Sequence, residues 1–219
     1  MSSPLLLLPG AVGGGGIDAP VAAHYGSFYG EQRTLESGEG FVDLSHHDVL
    51  RISGPDRLRW LHDLTTQYFL DLAERTWTQA LILSPQGHVE HAIAGVDDGE
   101  SFTAATEPGA AVHLDKGCYR GQETVARVHT LGRPPRRLVL LHLDGSENRL
   151  PPAGSPVSYD GRDVGFVGSS ARHHELGPIA LALVKRNVPV DATLTVDEMP
   201  AAQEVVVDPE VGLHVRPLR

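Results

Sequence analysis

The sequence predicts an α+β protein in which a mixed N-terminal region precedes a small antiparallel barrel or sandwich. Three observations carry this. A short apolar run closed by glycine, Val49 to Gly54, leads into a helical pattern with Pro55 in its first turn and Asp56 near the positive end of the dipole. The stretch "ALILSPQGHVEHAIAGVDDG" reads as two strands joined at Pro85-Gln86-Gly87 and ended by Asp98-Gly99. After Arg137 the texture changes to five short β-type stretches, divided by Gly, Pro, Asn and Asp clusters.

Taken in order, the elements begin with "GGGG" at Gly13 to Gly16. It lacks the Gly-Lys-Ser/Thr ending of a phosphate loop and reads as a flexible lead-in. In the helix that follows Gly54, Leu58, Leu61 and Leu64 recur at three-residue spacing with Trp60 beside them, so all four are expected in the core. On the second strand of the hairpin, Val89, His91 and Ile93 share one face, and His88 and Glu90 the other. His88 and Glu90 could meet one metal ion, but metal sites need three or four ligands, so solvent exposure is the simpler expectation. The doublets His46-His47 and His173-His174 take the same reading. In the last region, Tyr159-Asp160-Gly161-Arg162 marks a hairpin, because Asp-Gly favours the positive backbone angles of a type I′ turn.

Composition narrows the function. Eighteen Lys and Arg against 28 Asp and Glu leave a formal charge of −10, which opposes broad contact with nucleic-acid phosphates. No apolar run is long enough to span a bilayer. "MSSPLLLLPG" has no cationic region before its leucines, so a cytoplasmic protein is expected. A single cysteine excludes an internal disulfide and cannot hold an iron–sulfur cluster alone.

That cysteine, Cys118, lies in "DKGCYRGQE". Lys116 and Arg120 flank it, and the helix-forming "YRGQETVARVH" follows. A thiol near cations and a helix N-terminus gains thiolate character. A buried cysteine acting as a small apolar residue is the alternative. His113 and His129 are the histidines within reach in sequence for a Cys-His pair. Arg127, Arg133, Arg136 and Arg137 form a basic segment suited to carboxylate or phosphate capture, or to a solvated connector.

"KGCYRGQE" resembles the K-G-C-[YF]-x-G-Q-E signature of the YgfZ family, folate-dependent proteins that maintain iron–sulfur enzymes and are related to the glycine cleavage T-protein, an aminomethyltransferase. "VDLSHHDVLRISGPDRLRWLHDLTTQ" resembles the N-terminal pattern these proteins share, and "VGFVGSSARHHELGPIALALV" their C-terminal barrel pattern. The resemblance covers most of Gly40 to Val188. It implies a T-protein-like folate-binding domain over residues 1–135 and a C-terminal β-barrel domain over 136–219.

The resemblance also implies tetrahydrofolate as ligand, with Cys118 as the functional thiol. Lys116, Tyr119, Arg120, Gly121, Gln122, Glu123, Glu90 and Arg127 would shape the cofactor site, and no metal is expected. The implied partners are iron–sulfur enzymes or cluster-assembly proteins, with neither nucleic acid nor membrane. Two departures stand out. Where the T-protein carries an Asp pair used in catalysis, this chain has "GHVEH", which leaves Glu90 as the carboxylate; the T-protein also usually has an acidic residue at the position of Cys118. The family's central segment, with its R-x-E-x-G stretch, has no counterpart in "DDGESFTAATEPGAAVHLDKG", so the first domain is shortened. Folate-dependent aminomethyl transfer through Glu90 is the alternative function.

Overall fold

The protein was analysed as a computed structural model, which describes residues 2–106, 116–132, 134–147 and 149–207. His113 and Arg133 lie outside the described residues. The chain divides into two compact units that are not consecutive segments: one holds Met1–Ala23 and Val42–Arg127, the other His24–Phe41 and Val128–Arg219.

The glycine run at Gly13 to Gly16 is ordered, not a flexible lead-in. Val12–Gly13 (β1) pairs with Ala22–His24 (β2), and the Gly14 N–H donates to Val21 C=O at 2.9 Å. A Cβ on Gly14 would sit 2.4 Å from the Asp18 carbonyl oxygen, so the tight return of the chain requires glycine there. The helix Phe28–Glu36 (α1) had no sequence signal. It belongs to the second unit, where the Gln32 side chain donates to Arg172 C=O and accepts from His174 N–H, each at 2.9 Å.

The first unit is built on a four-stranded antiparallel sheet. Val49–Ser53 (β3) leads into the helix Arg57–Leu64 (α2). Trp77–Leu83 (β4), Val89–Asp97 (β5) and Ser101–Thr106 (β6) complete the sheet in the order β3-β6-β5-β4. One face packs a core of Leu61, Phe69, Ala80, Ile93, Phe102 and Ala104, with Leu58 and Ile52 against it. Two expected core residues are outside it: Trp60 is 54 % exposed and Leu64 40 %. The helix stops at Leu64, and its inward face runs Leu58, Leu61 and then Thr65, so three-residue spacing extended to Leu64 drifts off the buried face.

α2 is tied to the sheet at its first residue. Arg57 Nε and Nη2 donate to the two Asp97 carboxylate oxygens, each at 2.7 Å, and both side chains are nearly buried. The Arg57 hydrogen bonds hold Asp97 below the usual carboxylate range, against the opposing effect of burial. Gly99 N–H donates to the same carboxylate at 2.8 Å.

The helix Gln122–Leu131 (α3) precedes the second unit's strands: Arg136–Leu143 (β7), Pro156–Tyr159 (β8), Arg162–His173 (β9), Gly177–Lys185 (β10), Leu194–Val196 (β11) and Met199–Val205 (β12). They close into an antiparallel six-stranded barrel in the order β10-β7-β12-β11-β8-β9. Six strands arise from five sequence stretches because "PVSYDGRDVGFVG" folds back on itself at Asp160-Gly161, where both backbone angles are positive (φ 52° and 70°). β7 alternates strictly, sending Val139, Leu141 and Leu143 inward with Arg137. Arg137 is therefore neither a ligand residue nor a solvated connector. Its guanidinium is buried and donates to the carbonyls of Lys185, Arg186 and Pro189 and to Gln203 Oε1. The His doublets are not simply solvated either: the His46 and His174 rings are 6 % and 4 % exposed and pair with Asp18 and Glu36.

Replacing Asp97 with Asn should cost about 3 kcal/mol near neutral pH, because it leaves the buried Arg57 charge uncompensated. Asp97 has a lowered folded-state pKa, so its contribution is present above the unfolded carboxylate value of about 3.9 and is lost as pH falls through the folded value. Urea unfolding from pH 7 to pH 2 should show the native protein's advantage over Asp97→Asn disappearing at the acid end. An advantage that does not change with pH would contradict this assignment.

Candidate functional site

The segment Lys116 to Gln122 joins α2 to the β4–β5 hairpin, and its residue types follow from those two attachments. Lys116 is buried, with its ammonium donating to the carbonyls of His62 and Thr65. These acceptors lie in the last turn and at the C-cap of α2, where helical carbonyls lack partners and the dipole is negative. Lys116 is thus a cap on α2. Burial pushes its pKa down, partly opposed by Asp63. Burial, and then the Lys116 charge, also hold His62 below its ordinary value.

The other attachment is made by two glycines facing each other. Gly121 has φ 79°, and a Cβ there would lie 2.8 Å from the Ser84 carbonyl oxygen and 2.9 Å from Gly87 Cα. Gly87 has φ 82°, and its Cβ would lie 2.6 Å from Thr124 Cβ. Both are left-handed positions pressed against backbone or a branched side chain, so any side chain would force the two segments apart. Thr124 Oγ1 completes the joint by donating to Gln86 C=O at 2.9 Å. Gln122 reaches back to accept from Tyr119 N–H at 3.1 Å, fixing the turn into α3. Glu123 and Arg127 pair at 3.1 Å on the exposed face of α3, a contact of small energetic weight.

Between these attachments Cys118 is exposed, which removes the packed-cysteine alternative. Tyr119 is half-buried with its ring 5.6 Å from the Lys116 ammonium, and burial raises its phenol pKa. Arg120 Nη1 lies 3.5 Å from Glu90 Oε2, both side chains being about half exposed. Glu90 owes its position to a bulge: Ile82 pairs with His91 and Leu83 with Val89, so Glu90 has no partner across the hairpin. The bulge falls between Val89 and His91 and takes Val89 off the face expected for it; Val89 and His91 are exposed and Ile93 is buried.

The structure therefore brings Glu90 and Arg120 together beside the Cys118 turn. It places Lys116, Gly121 and Gln122 in holding that turn, and Glu123 with Arg127 on the outer face of α3. Among the described residues no group of three or more His, Cys, Asp or Glu side chains is placed to hold a metal ion, His88 and Glu90 included. Sequence reasoning missed the Arg57–Asp97 pair. Ile93, Gly95 and Asp97 share one face by alternation, which would have marked Asp97 as inward.

The architecture, a unit built on an antiparallel sheet and a closed six-stranded barrel, is a T-protein-like fold. Residues 136–210 match the family described as the glycine cleavage T-protein C-terminal barrel domain. The crystal structure of glycine cleavage system aminomethyltransferase T from Bartonella henselae superposes with a TM-score of 0.64 over 92 % of this chain and 94 % of that one, at 11 % identity, a likeness of fold. Two curated proteins match in sequence. The tRNA-modifying protein YgfZ of Aliivibrio fischeri (strain MJ11) is 31 % identical over 120 residues, 51 % of this chain. A chloroplastic protein of Arabidopsis thaliana named as a transferase is 33 % identical over 90 residues, 40 % of this chain. The matches span only 37 % and 20 % of those relatives' own lengths. Together these likenesses are consistent with a YgfZ-like family. Among the described residues, no helix is long and apolar enough to cross a membrane.

Replacing Lys116 with Met should lower stability by about 2 kcal/mol, since the α2 carbonyls lose a charged donor. The same change should raise the His62 pKa, followed by NMR, because one of the influences depressing it is gone. A His62 titration that does not move would refute the clamp. Gly121→Ala should destabilise by more than 1 kcal/mol in thermal unfolding, combining a left-handed backbone with a clash against Ser84.

Proposed function

We propose that this chain binds tetrahydrofolate and supports iron–sulfur enzymes through the Cys118 thiol. The observation that carries the reading is an exposed thiol on a turn held by a buried lysine at one end and by facing glycines at the other. Such a turn offers sulfur to a partner protein without a change in the fold.

The side chains beside the turn suit a folate. Glu90 offers a carboxylate that accepts from the pterin ring's N–H groups, Arg120 a donor to the ring carbonyl oxygen beside them, and Tyr119 an aromatic face. Glu90 and Arg120 are half exposed and engaged with each other, so a ring edge that sets a donor beside an acceptor can replace each partner of the pair. Lys116, Gly121 and Gln122 contribute by holding the turn. Tetrahydrofolate, when bound, supplies a carrier for one-carbon units. The relative from Aliivibrio fischeri is named as tRNA-modifying, but a formal charge of −10 does not favour direct contact with RNA phosphates, and we place the partner among iron–sulfur enzymes or cluster-assembly proteins in the cytoplasm.

Aminomethyl transfer is the second reading. One observation favours it: the bulge that sets Glu90, a carboxylate, beside Arg120 at the site. Incubation with an aminomethylated lipoyl carrier protein and tetrahydrofolate separates the two readings, because only the transferase turns over.

Titration with tetrahydrofolate, read by calorimetry, should show saturable binding that weakens at least tenfold in Glu90→Gln, a loss of about 1.4 kcal/mol. Cys118→Ser should leave thermal unfolding within about 0.5 kcal/mol of the native protein, as for other exposed positions. It should nevertheless lower iron–sulfur enzyme activity in cells that rely on this protein. Activity that tracks only the amount of soluble protein would count against a functional thiol.

A further inference from the structure

We propose that β3 is a self-association edge, through which a second copy of this chain extends the four-stranded sheet into a continuous eight-stranded one. The two edges of the sheet differ sharply. The outer side of β4 is engaged by the segment after α2: Thr66 N–H donates to Leu81 C=O and Thr66 Oγ1 accepts from Leu81 N–H, each at 3.0 Å, while Gln67 Nε2 donates to Gln79 C=O at 3.1 Å. β3 pairs only with β6, and among the described residues no other group hydrogen-bonds its backbone. Natural edge strands carry proline, lysine or a bulge against such pairing. Val49-Leu50-Arg51-Ile52-Ser53 has neither proline nor bulge, and its one charge, Arg51, is tied to Ser101 Oγ of its own sheet; Val49 and Leu50 are 66 % and 50 % exposed.

The residues of the edge favour a second copy as the occupant. In an antiparallel pair about a two-fold axis each residue must meet one of its own parity, because paired side chains share a face. Centring on Arg51 would oppose two guanidinium groups, which is unfavourable for directly facing like charges. Centring on Leu50 sets Leu50 against Leu50 and Val49 against Arg51, whose guanidinium is already tied to Ser101 Oγ at 2.9 Å. Leu50 shares the face of Ile52, which packs on the core, so the Leu50 pair would carry that apolar layer across the axis. The contact strand brings one cation, Arg51, and its neighbour Asp48 one anion, so the patch is neutral although each copy carries −10. A five-residue edge offers less than the roughly 800 Å² per partner of a standard interface, so the association is weak and concentration-dependent.

Sedimentation velocity on the full chain over about 1–200 µM should show a monomer–dimer equilibrium that tightens with added salt, as repulsion between the two anionic copies is screened. Leu50→Lys should weaken it about tenfold or more while unfolding close to the native protein, since the position is half exposed. In a Cys118→Ser background, Leu50→Cys should form an intermolecular disulfide under mild oxidation, and Trp77→Cys on the opposite edge should not. A monomer at every concentration overturns the proposal and leaves a strand of another protein as the occupant of this edge. A dimer that survives Leu50→Lys, or that gives no disulfide through Leu50→Cys, overturns it too.

Discussion

The buried ammonium of Lys116 is the constraint on which the candidate site depends. α2 has eight residues, too few to hold its shape alone in water, and it is stabilised from outside at both ends. Arg57 is clamped by Asp97 at the start, and the last-turn carbonyls by Lys116 at the finish. One side chain thus completes a helix and anchors the turn that presents Cys118. A lysine suits this role because three donors on one small head can serve two carbonyls, and because burying it in place of water strengthens both contacts. Its charge reaches further, to His62, so the electrostatics of the turn and of the helix end are one system.

The facing glycines and the bulge solve a different problem. A carboxylate on a regular strand would be matched across the hairpin and directed by the pleat. The extra residue in β5 frees Glu90 from that register, and the contact between Gly87 and Gly121 brings the Cys118 turn close enough for Arg120 to meet it. The joint is backbone against backbone at Gly121 and backbone against the Thr124 side chain at Gly87, so its accuracy is set by the two glycine positions. That is why "G-C-Y-R-G-Q" and the distant "S-P-Q-G" form one local structure.

Much of the fold was legible because its signals are local. Asp160-Gly161 specified its own turn, and the β7 alternation specified which residues enter the barrel. Where the deciding partner was remote, the sequence misled. Lys116 read as a residue of the thiol's turn, and its second role as a cap on α2 stayed hidden because its acceptors lie more than fifty residues upstream. Trp60 and Leu64 looked apolar enough for the core, but both stand off the buried face of α2 that runs through Leu58 and Leu61 to Thr65. Arg137 read as part of a cationic patch when it is one inward position in a two-residue repeat. The turn at Asp197-Glu198, with φ of 46° and 69°, went unseen because neither residue is glycine or asparagine. Within "KGCYRGQE" the structure separates the residues that hold the turn from those that face outward.

The closed barrel has a consequence for how the protein is made. β7 is the first of the six strands to leave the ribosome, and one of its two neighbours is β12, the last. Val139 meets Val205, so the ring cannot shut until some seventy residues beyond β7's start have been translated. The sheet of the other unit joins β4, β5 and β6 through short hairpins and can assemble early. Closure by distant pairing is slow, and until it happens β7 presents an alternating apolar strand to the cell. The nascent chain is therefore most in need of a chaperone after the Cys118 turn has emerged and before β12 has.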